Sequence, residues 1–229
     1  MEHQFNDAGV KTLVIMDMFA DKLEDVLPNT GIQHVVLTSL SQWFSPVVRT
    51  VLDAVLKYWN KAIPQHSLNA VTLSQAIQTG SARQAEQGID VARYWQAIAR
   101  EDTALLQYTG GTTGVAKGAM LTHQNIQAQA VTCLQALHTR SDDVGSCVAP
   151  MFHIAGLGAM APLFYMGALS VIHPLGAFDP NDMLDTLERE GTTSIFLVPA
   201  QWQAVCAAQQ AKPRDLKLRV ISWGAAPAS

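Results

Sequence analysis

Residues 109–117, Thr-Gly-Gly-Thr-Thr-Gly-Val-Ala-Lys, concentrate more anion-binding chemistry than any other stretch of the chain. Glycines at 110, 111 and 114 let the backbone turn inward and offer amide N–H groups to an anion. Hydroxyls of Thr109, Thr112 and Thr113 add donors, and Lys117 adds a mobile positive charge. Such a loop suits a polyphosphate. It is not the G-x-x-x-x-G-K-[ST] loop, because Lys117 is preceded by Ala116 and followed by Gly118. A plain hairpin turn needs only one or two residues of this kind, which argues against a purely structural turn. No G-x-S-x-G occurs anywhere in the sequence, which leaves a hydrolase reading weak.

Elements on both sides must hold such a loop, and hydrophobic periodicity supplies strands at 104–108 and 119–121. The rest of the chain alternates short β-branched runs with longer helical ones. Strands are predicted at 12–16, 33–38, 145–149, 169–173, 194–198 and 218–223. Helices are predicted at 19–27, where Pro28 stops the run, and at 125–137, 157–165, 181–190 and 200–210. This order implies an α/β fold of layered, mostly parallel sheets with flanking helices. Ser45-Pro46 opens a further helix in which Val47, Val48, Val51, Leu52, Val55 and Leu56 recur at helical spacing. Docking of that face on the core is the expectation, and a membrane-surface contact is the competing one. Residues 64–102 are more polar and read as a connecting layer, with Ser74 as a helix N-cap and a helical run at 91–99.

The composition narrows the function class. The chain has 229 residues, 48% apolar and 15% charged, against about 25% charged in a typical domain. Fifteen Lys and Arg against nineteen Asp and Glu leave a net charge of −4, with no basic excess for a nucleic-acid backbone. Cys133, Cys147 and Cys206 form no C-x-x-C pair, sit in apolar stretches that read as core, and fit a reducing compartment. The start shows no signal peptide. Residues 144–178 contain no charged side chain, but Pro150, Pro162, Pro174, His153 and His173 interrupt them, so they read as buried strand, turn and helix rather than as a membrane span. Together these features read as a cytoplasmic protein, with peripheral membrane contact as the alternative placement.

Residues 108–123, YTGGTTGVAKGAMLTH, resemble the phosphate-binding signature of the adenylate-forming (AMP-binding) superfamily, and most closely that of its long-chain fatty-acid-CoA ligases. Residues 150–157, PMFHIAGL, resemble the family's His-containing acyl-site motif. Residues 223–229, WGAAPAS, resemble its adenine-side segment, and Glu2-His3-Gln4 with the two β-α units after it resembles the stretch upstream. The resemblance covers essentially the whole chain. It implies ATP-dependent activation of a fatty acid to an acyl-adenylate and transfer of the acyl group to coenzyme A, with Mg2+ as cofactor.

By resemblance, Tyr108, Thr109, Gly110, Gly111, Thr112, Thr113, Gly114, Lys117 and Gly118 form the phosphate cradle. Thr109 lies nearest the magnesium, and Lys117 is the main electrostatic contributor. His153 orients the acyl carboxylate; a buried structural histidine bonded to a backbone carbonyl is the alternative. Gly224, Ala225, Ala226 and Pro227 line the adenine pocket. Ile154, Leu157, Met160 and Leu163 are candidates for an acyl channel, though their helical spacing equally fits core. The family's magnesium-assisting Glu, ribose Asp and C-terminal domain with the adenylation lysine have no counterpart in the sequence. Residues 1–229 therefore resemble part of the large N-terminal domain, expected to be inactive alone. Its partners would be fatty acid and ATP, with a complementing fragment or a second copy; a non-catalytic ATP-binding or interaction module is the alternative.

Overall fold

Parallel pairing dominates the computed structural model, which describes residues 1–110, 114–173 and 176–227. The chain divides into two units, residues 1–98 with 106–119 and residues 99–105 with 120–229.

In the first unit, β1 (Thr12–Met16), β2 (His34–Thr38) and β3 (Val71–Thr72) form a parallel sheet in that order. Leu13 pairs with Val35, and Val36 with Val71. Adjacent residues Val35 and Val36 are both buried, as expected of a parallel strand covered on two faces. The crossover carries α2 (Ala20–Val26), whose Ala20 and Leu23 are fully buried; Pro28 follows it in a 3-10 turn at Leu27–Asn29. A short helix, α1 (Glu2–Asp7), precedes β1 and carries no apolar period to announce it. α4 (Leu73–Gln87) starts two residues earlier than its sequence suggests. Thr72, not Ser74, caps it through a reciprocal bond with Gln75, and Gly88 at φ 60° ends it. α5 (Ala92–Gln96) occupies only part of the run at 91–99. β4 (Thr103–Thr109) and β5 (Lys117–Thr122) pair with each other. Their connection is too short for a parallel crossover and makes a hairpin.

The helix after Ser45 corrects the sequence reading. α3 (Pro46–Ala54), extended by a π-helical turn at Val55–Trp59, has no buried residue. Val47 is 75% exposed, Val51 58% and Trp59 87%. Arg49, Asp53 and Lys57, from the opposite side of the helix, instead line a polar cavity of about 370 Å³ at the carboxyl ends of β1, β2 and β3. Asp53 pairs with Arg49 at 3.7 Å and accepts the Ser41 hydroxyl. The charged face borders that cavity, because buried Ser41 and the strand ends offer it polar partners, while Arg49 and Lys57 stay exposed. Of the apolar face, Val47, Val48, Val51 and Val55 are left to solvent, and Leu52 and Leu56 are half-buried.

In the second unit, β6 (Val144–Cys147), β7 (Leu169–Ile172), β8 (Ser194–Leu197) and β9 (Val220–Trp223) are all parallel, in the order β7-β6-β8-β9. Four helices accompany them: α6 (His123–Leu137), α7 (Ile154–Met166), α8 (Pro180–Arg189) and α9 (Pro199–Ala211). Their ends are written in the sequence. Thr122 and Asn125 form a capping box for α6. Asp179 caps α8 ahead of Pro180 by accepting from Asn181 and Asp182 N–H, and Pro199 opens α9.

Period-two burial splits the two faces of this sheet. Ile195 and Leu197 pack with Met183, Leu184 and Leu187 of α8 and Val205 of α9. Full burial of each such side chain contributes about 1.5–3 kcal/mol. Ser194 and Phe196 face instead a cavity that α7 also lines. α7 spans 13 residues, about 20 Å at 1.5 Å per residue. Among the described residues no helix is long and apolar enough to cross a membrane. Pro162 within α7 leaves the Gly158 carbonyl without its helical donor, and the Gln129 amide of α6 reaches that oxygen at 3.4 Å. Of the three cysteines only Cys147 is buried; Cys133 is half-buried and Cys206 exposed, so the core reading holds for one alone.

Asp143 anchors the unit's lower edge, accepting from Arg140 N–H, the Thr193 hydroxyl at 2.7 Å and the Arg219 guanidinium. Burial alone would raise its pKa, but these donors outweigh burial and hold it below the ordinary carboxylate range.

Candidate functional site

The strand order of the second unit contains a reversal. β7 lies on one side of β6 and β8 on the other, so the crevice beyond the carboxyl ends of β6 and β8 is a topological switch point, where open α/β sheets bind ligands. A cavity of about 300 Å³ occupies it, lined by Pro150, His153, Ala155, Phe196, Gln201 and Ala225 among others. Two of the stretches singled out in the sequence therefore meet at one site, through Pro150, His153 and Ala155 of the 150–157 turn and Ala225 just after β9; Gly224, Ala226 and Pro227 do not line it.

The local turn explains His153. Its ring is exposed and caps α7, with Nδ1 accepting the Ala155 N–H at 3.1 Å. It is exposed and its ring bonds to no carbonyl among the described residues, so the structural alternative for this histidine is corrected. An accepting Nδ1 carries no proton, so in the neutral ring the proton sits on Nε2, which is left as a donor. Gly156 makes the turn possible: a Cβ there would stand 2.1 Å from the Pro150 carbonyl oxygen. Across the crevice Ala225 holds φ 68°, a left-handed conformation uncommon for a residue with a Cβ. Gln201, at the third position of α9, contributes through its elements' geometry; its Oε1 caps Val198 N–H at 3.2 Å. Nothing in the sequence singled it out.

A second, apolar cavity of about 220 Å³ shares Ala155 and Phe196 with the crevice and extends along Gly158, Ala159, Pro162 and Leu163. Of the four acyl-channel candidates only Leu163 lines it. Met160 is buried elsewhere, Ile154 is 42% exposed, and Leu157 is half-buried off the cavity. The lining face of α7 is its small-residue face, which leaves room that larger side chains would fill.

The glycine–threonine loop belongs to the first unit. Tyr108 and Thr109 end β4, and Lys117 and Gly118 open β5, so the lysine is a strand residue rather than a loop residue. Gly110 and Thr109 are exposed, and Gly114 takes φ 108°. Gly111, Thr112 and Thr113 lie outside the described residues. The Lys117 ammonium is exposed and forms no ion pair with any described residue. The Tyr108 hydroxyl is taken up by Asp7 at 2.6 Å. The Thr109 oxygen is a hard donor of the kind magnesium takes alongside phosphates and water. Among the described residues no group of three or more His, Cys, Asp or Glu could hold a metal by itself.

Comparison with known proteins decides the family. The sequence matches the AMP-binding enzyme family over residues 1–229. The chain belongs to that family. A long-chain-fatty-acid–CoA ligase of Salmonella typhimurium is 39% identical over 169 residues, 72% of this chain and 28% of that protein. One from Yersinia pestis is 32% identical over 232 residues, 98% of this chain and 39% of the relative. The crystal structure of a long-chain-fatty-acid–CoA ligase from Archaeoglobus fulgidus superposes with a TM-score of 0.63 at 25% identity, covering 100% of this chain and 39% of that one. This AMP-binding chain thus spans 21–39% of the length of the curated relatives it matches. Its layered α/β architecture is that of the N-terminal domain of adenylate-forming enzymes.

Proposed function

We propose that this chain carries the ATP- and acyl-binding machinery of a long-chain fatty-acid–CoA ligase. The observation that supports it most is the similarity to fatty-acid–CoA ligases across the 150–157 turn and the 108–123 hairpin together. In the reaction a fatty-acid carboxylate attacks the α-phosphate of ATP; the new acyl–phosphate bond forms as the bond to pyrophosphate breaks. The thiol of coenzyme A then takes the acyl group and AMP leaves. Neither step needs a side-chain nucleophile. The protein's work is to align two anions and offset the charge that shifts to the departing pyrophosphate.

On this reading, residues 109–114 cradle the β- and γ-phosphates and Lys117 supplies the ammonium charge. Magnesium beside Thr109 would neutralise phosphate oxygens when bound. His153 donates from Nε2 to the acyl carboxylate, a role its Nδ1 cap pre-organises. Gly224, Ala225, Ala226 and Pro227 receive the adenine, and the apolar cavity along α7 takes the first part of the acyl chain. Residues 1–229 act as an AMP-binding N-terminal domain, with the adenylation lysine supplied by a separate C-terminal domain. The test is binding: MgATP raises the melting temperature of the 229-residue chain, by RT ln(1 + [L]/Kd) in free energy, and Lys117→Ala removes the shift. A wild-type chain whose melting ignores millimolar MgATP overturns the proposal.

A further inference from the structure

Both stems of the glycine–threonine loop are tied to the same six-residue helix. On the β4 side, the Tyr108 hydroxyl donates to Asp7 Oδ2 at 2.6 Å, with the Gln4 carbonyl at 3.4 Å. On the β5 side, His3 Nε2 lies 3.1 Å from the carbonyl oxygen of Ala116, the residue just before Lys117. A carbonyl only accepts, so His3 carries its proton on Nε2 there. Between the stems the Tyr108 ring lies over Gly118, where a Cβ would stand 3.0 Å from the ring. The helix is itself pinned from its far side: Asn6 donates to the Asn29 carbonyl at 2.9 Å, and the Asn29 amide to Glu2 at 3.3 Å.

We propose that α1 is a positioning clamp for the phosphate loop, with Asp7 acting through Tyr108 and His3 acting through the Ala116 carbonyl to fix the spacing and direction of the two loop stems. The proposal rests on the phosphate-binding reading of the loop. Its logic is that of pre-organisation. A glycine-rich loop has many accessible conformations, and each one it must lose on binding weakens the complex. Two hydrogen bonds onto one short helix remove part of that freedom before nucleotide arrives. None of the three side chains needs to touch phosphate, so they are positioning residues. The Asp7 carboxylate also raises the Tyr108 phenol above its ordinary titration range, chiefly through this hydrogen bond, which gives the clamp an optical signature.

The experiment measures three quantities on the 229-residue chain: amide exchange at Gly110, Gly114 and Val115, MgATP affinity, and the ultraviolet titration of Tyr108. Tyr108→Phe keeps the ring over Gly118 and loses the hydroxyl; His3→Ala loses the donor. Each is expected to speed loop exchange about tenfold and weaken MgATP about five- to tenfold, with the global melting temperature nearly unchanged. Asp7→Asn and His3→Gln retain an acceptor and a donor and rescue both measurements, while Asp7→Asn returns the Tyr108 titration toward its ordinary range. Unaltered loop exchange in Tyr108→Phe and His3→Ala overturns the clamp. So does faster exchange with undiminished ATP affinity, since the contacts would then be structural only. If the wild-type chain does not bind MgATP, the phosphate reading fails, and the exchange comparison still decides whether the clamp exists.

Discussion

Ala225 sits in a backbone conformation that disfavours any side chain, at φ 68° on the rim of the switch-point crevice. Left-handed geometry costs about 1–2 kcal/mol for a residue with a Cβ, and such strain collects where ligands bind. Ala225→Gly is expected to raise stability by up to about 1 kcal/mol in a urea melt, and Ala225→Val to lower it by more than that. Equal melts for the two variants would show the strain to be absent. Residues differ in how openly the sequence declares them. Lys117 and His153 stand out because residue type and close neighbours carry their chemistry. His3, Asp7 and Tyr108 act through contacts spanning more than a hundred residues, and local pattern holds no trace of such pairs. Tyr108 was legible as part of a motif, yet its hydroxyl is spent on Asp7.

Elements were most legible where a proline marks the start, whereas the capping box of α4 at Thr72 and Gln75 was read two residues late. Asp179-Pro180 and Pro199 place the starts of α8 and α9 within a residue of their periodic runs. Thr122→Ala, which removes one half of a capping box, is expected to cost about 1 kcal/mol, measured by thermal or chemical melting. α1 escaped notice because six polar-rich residues cannot show a helical period, and β3 because two residues cannot show a strand's. α3 misled for a different reason. Its period is real, but periodicity says only that two faces differ, not which one turns inward. The polar partners at the strand ends decided that. Val51→Lys on the outward stripe is therefore expected to change stability by no more than about 0.5 kcal/mol while reducing binding of an apolar dye. A loss of about 2 kcal/mol or more would mean the stripe is docked after all.

At the scale of the molecule, the alternation of β and α segments was enough to give parallel sheets, because short parallel strands can be joined only through crossovers. The reversal that builds the crevice was not available from alternation, since strand order depends on which edge each crossover returns to. The same scale governs acid stability. Asp143 titrates below its ordinary range in the folded chain, so its contribution is present above the unfolded value and lost as pH falls through the folded one. His173 is held below the ordinary imidazole range, by burial first and then by Arg189, and keeps its Nε2 on the Ser146 hydroxyl at 2.9 Å. Protonation of this ring is resisted by the fold, so stability also declines as pH drops below the imidazole range. The acid limb should thus begin with His173 and steepen with Asp143. Asp143→Asn is expected to lower stability at neutral pH by about 3 kcal/mol and to flatten the steeper part, as read from urea melts across pH. The outward stripe of α3 has one more effect. Trp43 and Trp59 flank it with 76% and 87% of their surface in water, so their emission should lie far to the red in the free chain. Anything that settles over the stripe, whether lipid, detergent or protein, would shift that light to the blue, giving a built-in gauge of contact without a label.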